Sequence, residues 1–467
     1  MELRTIIKAL QQALPEAKFA LRGTEEHEAL NRGSYQSALQ SDIIPACIVQ
    51  PKTKEDVSTF VKTINPFVLS GEAAFAIVGG GRQPAPGCSN IEGGITLNLG
   101  LLTGIEIKDG VVSIAAGETW GPVFDSLVEQ GLGCSGSRLC KGGIGGLALS
   151  GGLTFFSSRE GFICDDVLNY QIVLGSGEIV NASANENADL WKALRSGGNN
   201  FGVVTHYDMC TFKQEPFWGG SLYYFNPSFP SQVEALVHEL QKPDATIETH
   251  LMMSLGYTAM FGLDAVGMNQ MYYTQEVEKP PVLDVFTKVE PQIDKLNTMR
   301  MMNLAEASAY MNLHVKADVA TLVADGEIWK AALGPIKECQ GLICFYTLQP
   351  YARSQLEASA KKGGNSLGLN PSLGSIVSVA FLMYWNLASD DEKILGTFKG
   401  ALTKMKEYAL SRGQLIDFTY MNYSFNFQDP ISSYGAENKK ELQRVSNKFD
   451  PQGIFQKGVP GGWKLFP

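Results

Sequence analysis

The stretch IVGGGRQPAPGCSN, residues 77–90, decides how the rest of the chain is read. A short apolar run, Phe75-Ala76-Ile77-Val78, enters three glycines, Gly79-Gly80-Gly81, followed by Arg82 and Gln83. That order puts bare backbone at the end of a strand. Glycine turns with positive φ and leaves successive N–H groups uncovered, and such a loop cradles phosphate oxygens without a charged side chain. A second glycine-dense stretch, Gly142-Gly143-Ile144-Gly145-Gly146 and then Gly151-Gly152, follows further along the chain. The two loops are read as a pair that grips one ligand from opposite sides.

Working outward, Ala46 to Pro51 reads as a strand. Thr53-Lys54-Glu55-Asp56 resembles a capping box that opens a helix carrying Val57, Phe60, Val61 and Ile64. With Phe75–Val78 this makes a strand–helix–strand unit, and the first loop leaves its last strand at the carboxyl end, where α/β proteins place ligands. Gly94 to Leu99 reads as a further strand. Ile105–Lys108 and Val111–Ile114 form a hairpin around Asp109-Gly110, and Thr119 caps a helix through Trp120, Val123 and Leu127. Cys134 to Arg159 is too rich in glycine and serine for a long regular element and is read as ligand-wrapping loop. A second hairpin, Leu168–Leu174 with Glu178–Asn181, a short helix at Asp189-Leu190-Trp191, the turn Gly197–Gly202 and a strand from Val203 to Phe212 complete this half.

Composition changes near residue 214. Nine of the fourteen methionines (Met252, Met253, Met260, Met268, Met271, Met299, Met301, Met302, Met311) fall between 252 and 311, interleaved with Tyr257, Phe261, Tyr272 and Tyr273. Strand-like runs (Gly220–Phe225, Met268–Tyr273, Ser375–Trp385) alternate with helix-like ones (Ser231–Leu240, Pro281–Leu296, Asp391–Ala409), a pattern that suits an antiparallel sheet backed by helices. Flexible thioethers among aromatics would line an adaptable apolar pocket, and they would equally serve as core packing.

The totals narrow the function. A length of 467 residues calls for two or three domains, and 44% apolar residues suffice to bury them. A net charge of -10 without a run of five or more like charges argues against nucleic acid and against a polybasic membrane patch. The amphipathic start, with Leu3, Ile6, Ile7, Leu10 and Leu14 on one face, lacks the uninterrupted apolar run of a signal peptide, and no run approaches the roughly 18 apolar residues of a membrane span. Eight cysteines without a CxxC pair read as reduced, buried side chains, so a cytoplasmic setting, a small-molecule partner and no metal are expected.

Two motif matches fail on context. Gly143 to Ala148 fits a GxGxxA pattern, but no strand precedes it and Gly151-Gly152 stops a helix. Gly364-Asn365-Ser366-Leu367-Gly368 fits a nucleophile elbow, yet it follows Lys361-Lys362-Gly363 and meets Pro371 where the elbow's helix should run. The five histidines stand in no motif and read as structural.

The ordered set of segments is far more specific than any one of them. GGGRQPAPGCSNIEGGITLNL, GGIGGLALSGGLTFFSSREG, DDVLNYQIVLGSGEIVNAS, ALRSGGNNFGVVT, YMNYSFNFQDPISSYG and NKFDPQGIF together resemble the berberine-bridge-enzyme-like FAD-linked oxidases, in particular their fungal branch of specialised metabolism. The resemblance covers residues 40–213 and 415–457 well and the middle loosely. It implies an α+β, two-domain fold of the PCMH or vanillyl-alcohol-oxidase type: a discontinuous FAD domain, residues 1–213 plus 410–467, and an antiparallel-sheet substrate domain, residues 214–409. It implies FAD as cofactor, with Gly79, Gly80, Gly81 and Gln83 at the diphosphate. Gly142, Gly143, Gly145 and Gly146 would lie along the ribityl chain and ring, and Gly202 and Val204 on the adenine side. Asn422, within Tyr420-Met421-Asn422-Tyr423, would hydrogen-bond the flavin region together with Tyr420. Tyr423 would face the substrate, where a phenol can take a proton if neighbours lower its ordinary pKa of about 10. A carboxylate of the middle domain is the alternative base, and the same tyrosine would serve equally as a buried aromatic with a satisfied hydroxyl. On the strand Ser375–Trp385, Tyr384 and Trp385 are candidates to line the substrate pocket, and alternation along a strand lets only one of them do so.

Two departures bear on the chemistry. Many members carry a histidine bonded to the flavin after the third glycine, and this chain has Arg82. A cysteine three residues before the second cluster makes the other link, and that slot holds Leu139, with Cys140 one position off. Non-covalent FAD is therefore expected, with Arg82 at a phosphate or against the ring edge. The resemblance leaves open an oxidation of a hydrophobic small molecule, with O2 or another acceptor, and a redox-neutral isomerisation or cyclisation over a structural flavin. It also leaves a silent flavin- or ligand-binding relative.

Overall fold

Thr53 begins the helix Lys54–Leu69 with the reciprocal cap that its sequence predicts: its hydroxyl accepts from Asp56 N and the Asp56 carboxylate accepts from Thr53 N. The computed structural model describes residues 3–258, 265–306 and 314–466. The helix lies between β2 (Cys47–Gln50) and β3 (Phe75–Val78) in sequence. With β1 (Lys18–Leu21) and β4 (Ile95–Asn98) these strands form a sheet of order β1-β2-β4-β3. The pairs β2/β4 and β3/β4 are parallel, and the pattern of fully buried residues on β2 and β4 follows from coverage on both faces.

A second sheet holds β5 (Ile105–Lys108), β6 (Val111–Ala115), β7 (Leu132–Cys134), β8 (Val167–Val173), β9 (Ile179–Ser183) and β10 (Val203–Lys213) in the order β5-β6-β10-β8-β9, with β7 also on β10. Both hairpins read from the sequence are present, with Asp109 and Gly110 at positive φ in the first. The third sheet is antiparallel throughout: β11 (Phe217–Phe225), β12 (Thr249–Thr258), β13 (Val266–Tyr273), β14 (Arg300–Met302), β15 (His314–Lys316), β16 (Ile343–Tyr351) and β17 (Ile376–Tyr384), in the order β14-β11-β13-β12-β16-β17-β15. The helices Phe229–Gln241, Val319–Leu333 and Asp391–Ser411 cover one face of it.

Two buried clusters result. The first takes Ile6, Phe60, Phe75, Trp120 and Tyr207 from the first half together with Phe418, Leu442, Val445 and Phe455 from the end of the chain. It also takes Tyr272, Tyr351 and Ile376, so the third sheet docks onto it. The second cluster lies between that sheet and its helices, from Trp218 to Ala409.

Several expectations change. The helix read over Pro281–Leu296 is instead three short turns, Pro281–Leu283, Asp284–Thr287 and Asp294–Leu296. Pro291 lacks an N–H and restrains the residue before it, so a helix cannot run through. The loop Cys134–Arg159 contains two short helices, Ile144–Ala148 and Ser157–Glu160. Of the methionines in that stretch, Met252, Met253, Met271 and Met302 are buried, Met268, Met299 and Met301 are half-buried, and Met260 and Met311, with Phe261, lie outside the described residues. Among the described residues no helix is long and apolar enough to cross a membrane.

Candidate flavin and substrate site

The two glycine loops meet back to back. A Cβ on Gly80 would lie 2.5 Å from Gly143 N, and one on Gly143 would lie 2.7 Å from Gly80 Cα, so no side chain fits at either position. Gly81 is fixed from the other side, at φ +60 with Ser34 O 1.7 Å from where its Cβ would be. The second loop rests on the first turn of the helix Trp120–Val128, where Trp120 N donates to Gly142 O at 2.9 Å and Gly121 N to Cys140 O at 2.8 Å. The backbone N–H groups of Gly80, Gly81 and Arg82 meet no acceptor among the described residues. Successive uncovered donors of this kind suit a diphosphate.

A cleft of about 770 Å³ opens over this contact. Gly79, Gly80, Gly81, Arg82 and Gln83 line it from the first loop and Gly142, Gly143, Gly145 and Gly146 from the second. Gly202 and Val204, at the start of β10, line one end. Gly202 is forced by packing, since a Cβ would fall 2.5 Å from Val173 O. At Gly146 a Cβ would meet nothing within 4 Å, so that glycine keeps the cleft open rather than the fold closed. The residues present therefore fit FAD.

The C-terminal turn Met421–Tyr423 closes the wall. Gln83 Nε2 donates to Met421 O at 3.2 Å and Asn422 O at 3.3 Å, and Asn422 Nδ2 donates to Leu147 O, Ser150 O and Tyr420 Oη at 3.0–3.2 Å. These amides staple the three segments together, which leaves Asn422 Oδ1 as the atom open to a ligand. Tyr420, read from the sequence as a cofactor contact, does not line the cleft. It is 1% exposed, its ring packed edge-on against Tyr351 and Tyr423, and burial holds its hydroxyl well above the usual range.

Tyr423 does line the cleft, and its hydroxyl is held from behind. Arg138 Nη2 donates to Tyr423 Oη at 2.5 Å, while Nη1 donates to His250 Nε2 at 3.1 Å and lies 3.1 Å from Met252 Sδ. The amide oxygen of Gln349 accepts from Nη2 at 3.0 Å. Arg138 is 3% exposed. Burial first, then the charge of Arg138, pushes the His250 imidazole well below its ordinary value, so it accepts as the neutral ring. The sequence reading passed over Arg138 and took His250 as structural. Arg138 was legible only as a lone charge in the glycine- and serine-rich run Cys134–Leu139, and His250 carried no motif.

The roof comes from the end of β17 and the helix after it. Phe381 to Leu387, Leu395 and Phe398 line the cleft, and both Tyr384 and Trp385 are among them. The expectation that only one would do so fails because Phe381 to Tyr384 line the cleft in succession: among the described residues β15 pairs with β17 only over Ile376–Ser378, so the far end of β17 is an edge paired to β16 alone. Trp385 Nε1 donates to Asp391 Oδ1 at 2.6 Å, which fixes the indole at the start of the helix. None of the described methionines between 252 and 302 lines the cleft; Met383 and Met421 do.

At the two positions that the resemblance aligns with flavin-linking residues, Arg82 Nε donates to Lys141 O at 3.0 Å, Leu139 lines the cleft, and Cys140 turns away to donate its thiol to Ala305 O at 2.8 Å. Among the described residues no group of three or more His, Cys, Asp or Glu could hold a metal. Ser366 of the rejected elbow donates to Lys192 O and is buried away from the cleft.

Comparison with known proteins agrees with this geometry. Residues 45–183 match FAD_binding_4, the FAD binding domain. The chain is 35% identical over 458 residues to the FAD-dependent monooxygenase FUP4 of Fusarium proliferatum (strain ET1), covering 92% of this chain and 87% of that one. It is 34% identical over 453 residues to the FAD-dependent monooxygenase tpcD of Cochliobolus heterostrophus (strain C5 / ATCC 48332 / race O), covering 91% and 86%. In fold it is similar to a variant of berberine bridge enzyme in complex with (S)-reticuline, with a TM-score of 0.77, 15% identity and 98% of both chains covered. By sequence along nearly its whole length the chain belongs to the family of these FAD-dependent monooxygenases, with an FAD binding domain over residues 45–183, and its fold is that of berberine bridge enzyme.

Proposed function

We propose that this protein oxidises a hydrophobic small molecule of specialised metabolism, with FAD bound non-covalently and O2 as the electron acceptor. The observation that carries the reading is the cleft itself: one wall is bare glycine backbone with open N–H donors, and the facing surface is aromatic and aliphatic, with Tyr423 between. FAD, when bound, supplies the site that accepts two electrons as a hydride from the substrate. Residues 1–213 with 410–467 hold it and residues 214–409 cover it. Gly80, Gly81 and Arg82 offer their amides to its phosphates, and Gly142 to Gly146 leave room for the rest. Tyr423 Oη takes a proton from the substrate. Phe381, Tyr384 and Trp385 bind its apolar body and exclude water. Arg82 and the turned-away Cys140 replace the two groups that would tether the flavin. The relatives' description as FAD-dependent monooxygenases supports O2 as co-substrate.

The test is the absorption spectrum of the purified protein before and after acid precipitation, followed by anaerobic addition of polyketide- and terpenoid-like phenols and alcohols. Flavin bands that leave with the supernatant, and that bleach with a substrate and recover in air, are the expected result. Colour retained in the pellet would refute non-covalent binding. Turnover of a substrate without bleaching would replace the oxidation by a redox-neutral reaction, and a protein that never takes up FAD would end the reading.

A further inference from the structure

Arg138 is a permanent charge, nearly fully buried, whose partners are all neutral in their ordinary forms: an imidazole nitrogen, a thioether sulfur, an amide oxygen and the phenol oxygen of Tyr423. Among the described residues no carboxylate pairs with it. A guanidinium taken out of water needs a counter-charge as well as acceptors. Three of the four partners cannot become anions near neutral pH: the imidazole loses its positive charge on burial and gains no negative one, and the thioether and amide do not ionise. Only the phenol can.

The direction of the hydrogen bond matters as much. Arg138 donates to Tyr423 Oη, so any proton on that oxygen points elsewhere, and Tyr423 lines the cleft while Arg138 does not. The guanidinium therefore acts on bound molecules only through the tyrosine. We propose that Arg138 is the positioning residue that holds Tyr423 as a phenolate facing the cleft, ready to take the substrate's proton. This rests on the reading of Tyr423 as the base. In the step, a substrate O–H or C–H bond breaks, the O–H bond of Tyr423 forms, and the electron pair stays on the substrate. The phenolate becomes the phenol, and Arg138 keeps its charge.

The neighbours of Tyr423 favour this state on balance. Tyr420 lies edge-on at 5.0 Å, and Tyr351 on β16 is coupled to both Tyr423 and Arg138; burial keeps both phenols protonated, so neither adds a competing negative charge. His250 stands behind Arg138 as the neutral ring. Around the cleft stand Arg82 and Lys399 with Asp42 and Asp391, two charges of each sign. Arg138 is the cation in direct contact.

The titration itself needs no substrate. Near-ultraviolet phenolate absorbance of the folded flavoprotein is followed from about pH 6 to pH 10 for the wild type, Tyr423→Phe, Arg138→Lys and Arg138→Gln. Subtracting the Tyr423→Phe curve, which carries the same flavin and the other tyrosines, isolates one phenol. The expected result is a single transition well below the ordinary tyrosine value of about 10. It stays low in Arg138→Lys and moves up by about two pH units in Arg138→Gln, as the loss of an adjacent opposite charge requires. A Tyr423 transition at or above 10 in the wild type, or one that Arg138→Gln leaves in place, overturns the proposal. If Arg138→Gln does not fold, the wild-type minus Tyr423→Phe difference decides alone. A low transition together with unchanged flavin bleaching in Tyr423→Phe would leave the Arg138–phenolate pair standing and remove the role of Tyr423 as base.

Discussion

Gly80 and Gly146 are both glycines of the cleft, and they are glycine for different reasons. At Gly80 the missing side chain lets two backbones touch, and neither loop has a flexible side chain that could give way. Gly80→Ala is expected to separate the loops, costing about 1–3 kcal/mol in overpacking, and to abolish FAD retention. Gly146→Ala meets no atom, so the apoprotein should melt unchanged while FAD binds more weakly. Thermal melts with and without added FAD distinguish the two, and equal behaviour would contradict this account of the contact. Arg82 supports a sharper test. It lines the cleft where many members of the family carry the histidine bonded to flavin, and it spans the loops through Lys141 O. Arg82→His should leave part of the flavin in the acid-precipitated pellet. If all the flavin still leaves with the supernatant, residue 82 lies too far from the ring for the proposed placement.

Among the elements, the helix Val319–Leu333 carries an acid in the wrong solvent. Asp325 is fully buried beneath the third sheet, and neither carboxylate oxygen has a hydrogen-bond partner among the described residues. Burial alone pushes its carboxyl up to about 7. The folded value lies above the unfolded one near 3.9, so the folded chain holds a proton that the unfolded chain has lost between about pH 4 and pH 7. Stability then falls as pH rises through that window and stays low above it. Asp325→Asn removes the dependence: melts should coincide with wild type near pH 4, and the variant should gain on the order of 2 kcal/mol at pH 8, well under the full value of the shift. A variant no more stable at pH 8 would mean that the carboxylate finds a partner. The same scale shows where element prediction breaks. Periodicity placed a helix over Pro281–Leu296, and Pro291 broke it into turns. The strands β12 and β16 escaped notice because they are largely buried on both faces, between the first core and the covering helices, so they lack the polar–apolar alternation of a half-exposed strand.

At the scale of the molecule, the first core is built from the two ends of the chain. Phe418, Leu442, Val445 and Phe455 pack with Phe60, Phe75 and Phe201, and Phe75 N donates to Gly458 O at 2.7 Å. Phe455 stacks edge-on against Phe75 at 6.2 Å, directly beneath the strand that leads into the first glycine loop. A chain ended at residue 409 loses all of these contacts, together with Asn422 and Tyr423. It should give no cooperative melt and no FAD binding, whereas adding residues 410–467 as a separate peptide should restore part of the flavin signal. A truncated chain that melts sharply and holds FAD would show that the C-terminal segment is dispensable to the core.

Much was legible in the amino acids alone, because it depended on local chemistry. The glycines after Val78, the capping box at Thr53, the Asp-Gly hairpin and the ordered segments of the family each act within a few residues, so they fixed the strand–helix–strand unit, the paired loops and the flavin-binding class. Tertiary structure decided what depends on residues distant in sequence. It alone set Gly80 against Gly143, turned Tyr420 into the core and Tyr423 into the cleft, and left the far end of β17 as an edge along which Tyr384 and Trp385 both line the cleft. It also brought Arg138, His250 and Tyr423 together from three separate segments. A lone arginine in a glycine-rich loop has no periodicity and no partner at fixed spacing, so its meaning comes only from what the fold packs against it.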